Sequence, residues 1–218
     1  MTRKLLTITV PVFNETEVIQ AFYDRVKKVV GSLEFMNHEI IFIDDGSTDD
    51  SYEKLRDISS KDSNIRLLRF SRNFGHQIAI TAGIDAAKGD AVVIIDADLQ
   101  DPPEVIHKFL EKWDQGFDVV YGIREKREGE NKVKLLTASL FYRLLKTLVQ
   151  IDIPVDTGDF RLMSRRVVDY LKIVRERDRF VRGLVSWVGF NQTGVYYARD
   201  KRYAGETKYP FRKMIRFA

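Results

Sequence analysis

Short apolar runs alternate with stretches of helical period from the start of the chain, and nothing else in the sequence constrains its fold as tightly. Leu5 to Val10, Glu39 to Ile43, Ile65 to Phe70, Ala91 to Ile95 and Asp118 to Tyr121 read as five strands. Between the first two, Glu15 to Val30 sets Val18, Ile19, Phe22, Val26, Val29 and Val30 at helical spacing and closes on Gly31. Helices are also predicted over Asp49 to Ser60, about Gln77 to Lys88, and from Pro102-Pro103 to about Gln115, where proline suits the first turn. A strand as uniformly apolar as Ala91 to Ile95 needs cover on both faces. The pattern therefore predicts an α/β fold: a mainly parallel sheet with helices on both sides.

After Arg124 the pattern changes. Arg124 to Asn131 is a charged, glycine-containing loop, and a helix is predicted over about Lys132 to Val149, with Val133, Leu136, Leu140, Leu144 and Leu148 on one stripe. That helix reads either as ordinary core packing or as an interfacial helix, with Lys132, Lys134, Arg143 and Lys146 facing lipid phosphates. Short elements follow Pro154. From Arg199 to Ala218 there are seven basic residues against Asp200 and Glu206, a net charge of +5 in a chain whose total is +4. Such a segment suits polyanions: phosphates, anionic lipid or nucleic acid. The division expected is a catalytic domain over 1–198 and a basic, amphipathic juxtamembrane annex over 199–218.

Bulk properties narrow the class. A chain of 218 residues with 44% hydrophobic and 31% charged content can bury a core unaided. With no cysteine it has no disulfide or thiolate chemistry. Met1-Thr-Arg-Lys-Leu runs straight into the first strand without a signal-peptide apolar stretch, and no run approaches the roughly 18 apolar residues of a membrane span. The chain as given reads as soluble or peripheral. No glycine-rich G-x-G-x-x-G follows strand one, which disfavours a dehydrogenase. Without aromatic platforms or a recognition motif beside the basic tail, nucleic acid is not the expected partner.

Ligands of open parallel sheets bind at the carboxyl ends of the strands, and three polar clusters fall there. They are Pro11-Val-Phe-Asn-Glu15, Asp44-Asp-Gly-Ser-Thr-Asp49 and Asp96-Ala-Asp-Leu-Gln-Asp101. Asp44 and Asp45 can serve as turn and cap residues before the next helix. Asp96 and Asp98 can likewise shape a helix-entry turn. Yet two carboxylates one residue apart beyond a buried strand repel each other unless a cation sits between them. Asp98 and the Gln100 amide are hard oxygen ligands suited to Mg²⁺ or Mn²⁺, not zinc.

These clusters resemble the family 2 glycosyltransferases of the GT-A (Rossmann-like) fold. Ser71-Arg-Asn-Phe-Gly-His-Gln77, Asp96 to Glu104, Asp156-Thr-Gly-Asp-Phe-Arg161 and Gly205-Glu-Thr-Lys-Tyr209 are similar, in order, to the polyprenyl-phosphate glycosyltransferases, the group of dolichol-phosphate mannose synthase and the undecaprenyl-phosphate glucosyltransferases. The resemblance implies a nucleotide-sugar pocket lined by Pro11, Val12, Asn14 and Glu15, with Asp44 at the base edge, Asp45 nearby, and Gly75 and Ala97 in the same walls. It implies that Asp96 holds ribose or metal, and that Asp98 and Gln100 ligate a metal bridging the donor diphosphate. Asp159 matches the carboxylate near the reacting centre, either acting there or fixing Arg161 or another basic group. Arg124 and Arg127 could clamp an acceptor phosphate, and Arg199, Arg202 and Lys208 could cover the diphosphate or meet lipid headgroups; each also reads as a solvated basic side chain. His76 is a pocket wall or a helix-start hydrogen-bonder.

The implied reaction inverts the anomeric centre, moving a sugar from a nucleoside diphosphate (UDP-glucose before GDP-mannose or UDP-GlcNAc) to a polyprenyl phosphate at the cytoplasmic membrane face. Transmembrane helices are expected to follow in the complete protein. Transfer to a soluble or polysaccharide acceptor stays open, although the Q-x-x-R-W signature of processive synthases is missing. A non-catalytic GT-A membrane adaptor is disfavoured because Asp96, Asp98 and Gln100 all stand. A homo-oligomer stays open.

Overall fold

The computed structural model describes residues 3–125, 157–176 and 179–200. In it, β1 (Lys4–Val12), α1 (Ile19–Gly31), β2 (Met36–Asp44), α2 (Ser51–Lys61), β3 (Ile65–Arg69), α3 (His76–Ala86), β4 (Ala91–Ile94), α4 (Val105–Asp114) and β5 (Val119–Arg124) follow one another. Then come β6 (Thr157–Ser164), α5 (Arg165–Ile173), α6 (Val181–Trp187) and β7 (Gln192–Tyr197). The five strands expected from apolar runs are all present. Helix starts differ by a few residues. Glu15 to Val18 forms a turn before α1, and the two prolines sit in the turn before α4, where the carbonyls of Pro102 and Pro103 accept from Val105 and Ile106.

The seven strands form one sheet in the order β3-β2-β1-β4-β6-β5-β7. All pairings are parallel except those of β6, which runs antiparallel to both β4 and β5. Side chains alternate across the sheet. Leu6, Ile8, Val10, Val93 and Leu162 pack toward α1, α2 and α4, while Val92, Ile94, Val119 and Met163 pack toward α3, α5 and α6. All four residues of β4 are fully buried, which is why that strand reads as a continuous apolar run.

Two features of this topology create the site. The order reverses between β1 and β4: β2 and β3 lie on one side, β6 and β5 on the other. The crevice at that switch point gathers the loops after β1, β2 and β4. Antiparallel β6 then presents its N-terminal end where β4 presents its C-terminal end, since Ile94 pairs with Arg161. Residues distant in sequence thereby reach the same edge.

The loop 124–131 beyond Glu125, the 132–149 helix, Asp156, and the tail from Lys201 lie outside the described residues, and with them Arg127, Arg202 and Lys208. Among the described residues, no helix is long and apolar enough to cross a membrane.

Candidate active site

The loops after β1 and β2 are fastened side chain to backbone. Asn14, at a φ of 52°, accepts from the Thr48 amide through Oδ1 (2.8 Å), and its own amide donates to Ser47 Oγ (3.0 Å). The Glu15 amide donates to Ser51 Oγ (2.8 Å). Asp44 is fully buried at the end of β2. Its Oδ1 accepts from the Ser47 amide (3.2 Å), its Oδ2 makes no hydrogen bond, and Arg69 Nε stands 3.5 Å from that oxygen. One oxygen of this carboxylate thus shapes the turn, while the other faces Arg69.

Asp45 is committed differently. Its two oxygens accept from the amides of Phe74 (2.7 Å) and Gly75 (2.9 Å), clamping the segment that leads into α3. Burial raises its carboxyl above the ordinary value and outweighs the two amides; the neighbouring charge of Asp44 raises it further. Gly75, at a φ of 107°, precedes α3 in a conformation that L side chains rarely adopt. Gly46 is required for a different reason: a Cβ there would stand 2.3 Å from the Arg72 carbonyl carbon. The clamp and the close approach together shape an open cleft of about 670 Å³, lined by Phe13, Gly46, Ser47, Thr48, Arg69, Phe70, Ser71, Arg72 and Asn73. Arg69 lies 3.8 Å over the Tyr52 ring, a cation–π contact that stiffens this wall.

One strand further along the sheet lies a carboxylate cluster. Asp96 and Asp98 follow β4, and Leu99 between them and α4 adopts a φ of 58° with its side chain buried. A branched residue in that region costs about 1–3 kcal/mol, a strain found where a loop's path is dictated by function. Asp98 Oδ1 accepts from the Gln100 amide (3.0 Å), and Arg199 Nη2 approaches Asp98 Oδ2 at 3.9 Å. Asp96 Oδ1 is buried and makes no hydrogen bond. Burial pushes the Asp96 carboxyl up to about 6; the charges of Asp159, Asp98 and Asp101 push the same way, and His76 opposes them.

His76 and Asp159 complete the cluster. His76 Nε2 lies 3.2 Å from Asp159 Oδ2 and 3.6 Å from Asp96 Oδ1. Burial disfavours the charged imidazole, but the hydrogen bond to Asp159 and the carboxylates of Asp96 and Asp45 outweigh it and raise its pKa. Asp159 Oδ2 also accepts from Gln77 Nε2 (3.3 Å), and Arg182 Nη2 stands 3.6 Å from Oδ1. Burial alone would raise Asp159. The His76 hydrogen bond and the charges of Arg182 and Arg161 reverse that and hold it well below the usual carboxylate range. Asp159 is therefore a firmly ionised anchor for basic groups. Arg161, buried below it, donates to the carbonyl oxygens of Gly158 (3.0 Å) and Asp159 (3.4 Å), and burial lowers it to about 10.

Arg124 does not stand free for a clamp. Its Nη2 reaches Asp101 Oδ2 and its Nε the Tyr197 hydroxyl, both at 3.4 Å, and that hydroxyl donates to Asp101 Oδ1 at 2.6 Å. Asp101, 1% exposed, also has Arg199 Nε 3.3 Å from Oδ1. This hub ties β5, β7 and the segment after β7 to the loop of Asp96 and Asp98. Sequence reasoning carried Asp101 and Gln77 in its motifs without giving them a role and did not single out Tyr197 or Arg182; the meeting of the loop after β4 with β5 and β7, and of α3 with β6 and α6, brings them in.

Among the described residues, no group of three or more His, Cys, Asp or Glu side chains is arranged to hold a metal by itself. Asp96, with a buried oxygen that makes no hydrogen bond, and Asp98 still fit a hard divalent cation that would take its remaining ligands from substrate oxygens and water.

A nucleotide-sized cleft beside a paired-carboxylate loop, at the switch point of a mixed sheet, defines a GT-A type of site. The chain belongs to Glycosyl transferase family 2, matched over residues 7–171. It is 56% identical over 212 residues to the uncharacterized glycosyltransferase YkcC of Bacillus subtilis (strain 168), covering 97% of this chain and 65% of that protein. It is 43% identical over 204 residues to the prophage bactoprenol glucosyl transferase homolog of Escherichia coli (strain K12), covering 94% of this chain and 66% of the relative. The chain thus spans slightly less than two thirds of these proteins. In fold it is similar to the Pyrobaculum calidifontis mannosyltransferase PcManGT solved with GDP-Man and Mn²⁺, at a TM-score of 0.64 and 18% identity over 93% of this chain and 58% of the other. It is also similar to glucosyl-3-phosphoglycerate synthase of Mycobacterium tuberculosis, at a TM-score of 0.60 and 20% identity over 97% and 75%.

Proposed function

We propose that this chain is the catalytic part of an inverting glycosyltransferase that moves a hexose, with UDP-glucose the favoured donor, onto a polyprenyl phosphate at the cytoplasmic membrane face. The observation that carries the proposal is the Asp96 carboxylate at the carboxyl end of β4, one oxygen of which is buried without a hydrogen bond, among the charges of Asp98, Asp101 and Asp159. Clustered anionic charge of that kind is stabilised by a cation, and family membership supports a nucleotide-sugar as the ligand that brings the diphosphate. Similarity to bactoprenol glucosyl transferases supports a lipid phosphate as acceptor and glucose as the sugar. The chemistry supplied by a bound Mg²⁺ or Mn²⁺ is neutralisation of charge on the departing nucleoside diphosphate.

The chain's own residues would do the rest. Asp44, two residues before Gly46 of the cleft wall, would offer to an N–H of the base the carboxylate oxygen that makes no hydrogen bond, and Asp45 holds the segment of Phe74 and Gly75. Pro11, Val12, Asn14 and Glu15 would support the nucleotide, while Asp96, Asp98 and Gln100 would hold the cation. An acceptor phosphate oxygen attacks the anomeric carbon, and the bond from that carbon to the diphosphate oxygen breaks, its electron pair leaving with the nucleoside diphosphate. A phosphate monoester is largely dianionic at pH 7, its second pKa being about 6, so no proton needs removing. The ionised Asp159 accordingly serves to position His76 and Arg182 beside the reacting centre.

The test is a panel of radiolabelled UDP- and GDP-sugars with undecaprenyl and dolichyl phosphates, with and without Mn²⁺, using the full-length protein in membranes. Metal-dependent formation of a glucosyl-lipid from UDP-glucose is expected. Failure of every donor and acceptor pair would reject the proposal.

A further inference from the structure

Arg182 is the basic group of this site whose hydrogen bonding is least accounted for. Its Nε is buried and makes no hydrogen bond, and its contact with Asp159 is an ion pair at 3.6 Å, longer than the roughly 2.7–2.9 Å of a charge-assisted hydrogen bond. A guanidinium is a planar fork that a phosphate satisfies well. With a side chain 23% exposed, Arg182 remains open to a ligand. Three contacts join the polar groups in series: Asp96 to His76 at 3.6 Å, His76 to Asp159 at 3.2 Å, and Asp159 to Arg182 at 3.6 Å. In that series Arg182 is linked to Asp96 and the candidate cation site only through His76 and Asp159. Direct displacement puts the incoming phosphate opposite the departing one, so a basic group set apart from the cation site suits the acceptor. The Phe180 ring, 49% exposed, lies 5.8 Å from the Arg182 guanidinium, an apolar surface from which the carbon chain of a lipid phosphate could extend. Gln77 joins the two elements, accepting from the Val181 amide (3.0 Å) while donating to Asp159. Of the two arginines that the sequence offers for this task, Arg124 is engaged with Asp101 and Tyr197, and Arg127 lies outside the described residues.

Resting on the proposed lipid-phosphate acceptor, we infer that Arg182 receives the acceptor phosphate, with Asp159 holding the guanidinium in place until that phosphate arrives. The experiment compares wild type, Arg182→Gln and Arg182→Lys in full-length protein, measuring acceptor KM and kcat with undecaprenyl phosphate and, separately, UDP affinity with Mn²⁺. Loss of a charge-assisted contact predicts an acceptor kcat/KM lowered about 10- to 100-fold in Arg182→Gln, with UDP affinity changed less than about twofold. Arg182→Lys, which keeps the charge but loses the fork, should fall between. Should Arg182→Gln not fold, an acceptor KM raised in Arg182→Lys at unchanged UDP affinity supports the inference, and an unchanged KM overturns it. An equal loss of UDP affinity also overturns it, assigning Arg182 to the donor diphosphate. A wild-type protein that makes no lipid-linked sugar rejects the acceptor class itself, whereas an active wild type with an unaffected Arg182→Gln rejects only the role of Arg182.

Discussion

Replacing Asp45 by alanine should damage the cleft without touching a ligand. The carboxylate accepts from two consecutive amides, Phe74 at 2.7 Å and Gly75 at 2.9 Å, and among the described residues no other side chain accepts from them. Hydrogen bonds to a charged group are worth about 1.5–3 kcal/mol each, so the pair has a ceiling of about 3–6 kcal/mol. Two opposing effects reduce it. Asp45 is itself raised by burial and by Asp44, so its charged form is held at a cost, and the two amides are only partly buried and can turn to water after the change. A net loss of about 2–3 kcal/mol follows. Urea denaturation of wild type and Asp45→Ala reads it directly, and hydrogen exchange at Phe74 and Gly75 localises it. Because Arg72 and Asn73 line the cleft just before the clamped pair, UDP affinity should fall as well. A variant within about 0.5 kcal/mol of wild type, with protected Phe74 and Gly75 amides, would refute the clamp.

Other expectations concern the supports of the site and of the fold. Tyr197→Phe removes the 2.6 Å bond to buried Asp101, and an underbonded buried carboxylate costs about 1–3 kcal/mol; an unchanged melting temperature would count against the hub. Gly46→Ala drives a Cβ to 2.3 Å from the Arg72 carbonyl carbon, so UDP affinity should drop along with stability, and wild-type affinity would contradict the proposed close approach. Asp62, bonded by Lys27 Nζ and the Tyr23 hydroxyl at 2.9 Å each, is lowered from 3.8 to about 2, chiefly by Lys27. A depressed carboxyl contributes stability that is present above the unfolded value and lost as pH falls through the folded one. Denaturation midpoints should thus drop between about pH 4 and 2, less steeply in Asp62→Asn, and identical slopes would sink this assignment.

The alternation of strands and helices was legible because β1, β2 and β4 are buried on both faces and their apolar runs have no other use. The loops after β1, β2 and β4 were legible too, since a parallel sheet puts such loops on one edge. The insertion of β6 between β4 and β5 was not. An antiparallel strand arriving late in the chain carries no local mark of which neighbour it will pair with, yet that pairing brings Asp159 and Arg161 to Asp96. Arg124 looked available because its partners stand 23 and 73 residues away. Arg182 carries no local mark in the sequence, since its ion-pair partner Asp159 belongs to a different element of the fold. Charge pairing across long sequence separations is what the linear pattern leaves out.

Calorimetric titration of UDP with and without Mn²⁺, on wild type and on Asp98→Ala, tests most directly whether Asp96 and Asp98 anchor a donor diphosphate through a cation. Wild type should bind UDP at least about tenfold more tightly with Mn²⁺, and Asp98→Ala should lose that gain while keeping its metal-free affinity. Equal Mn²⁺ dependence in the two proteins would contradict the account, leaving the pair as a loop-shaping turn.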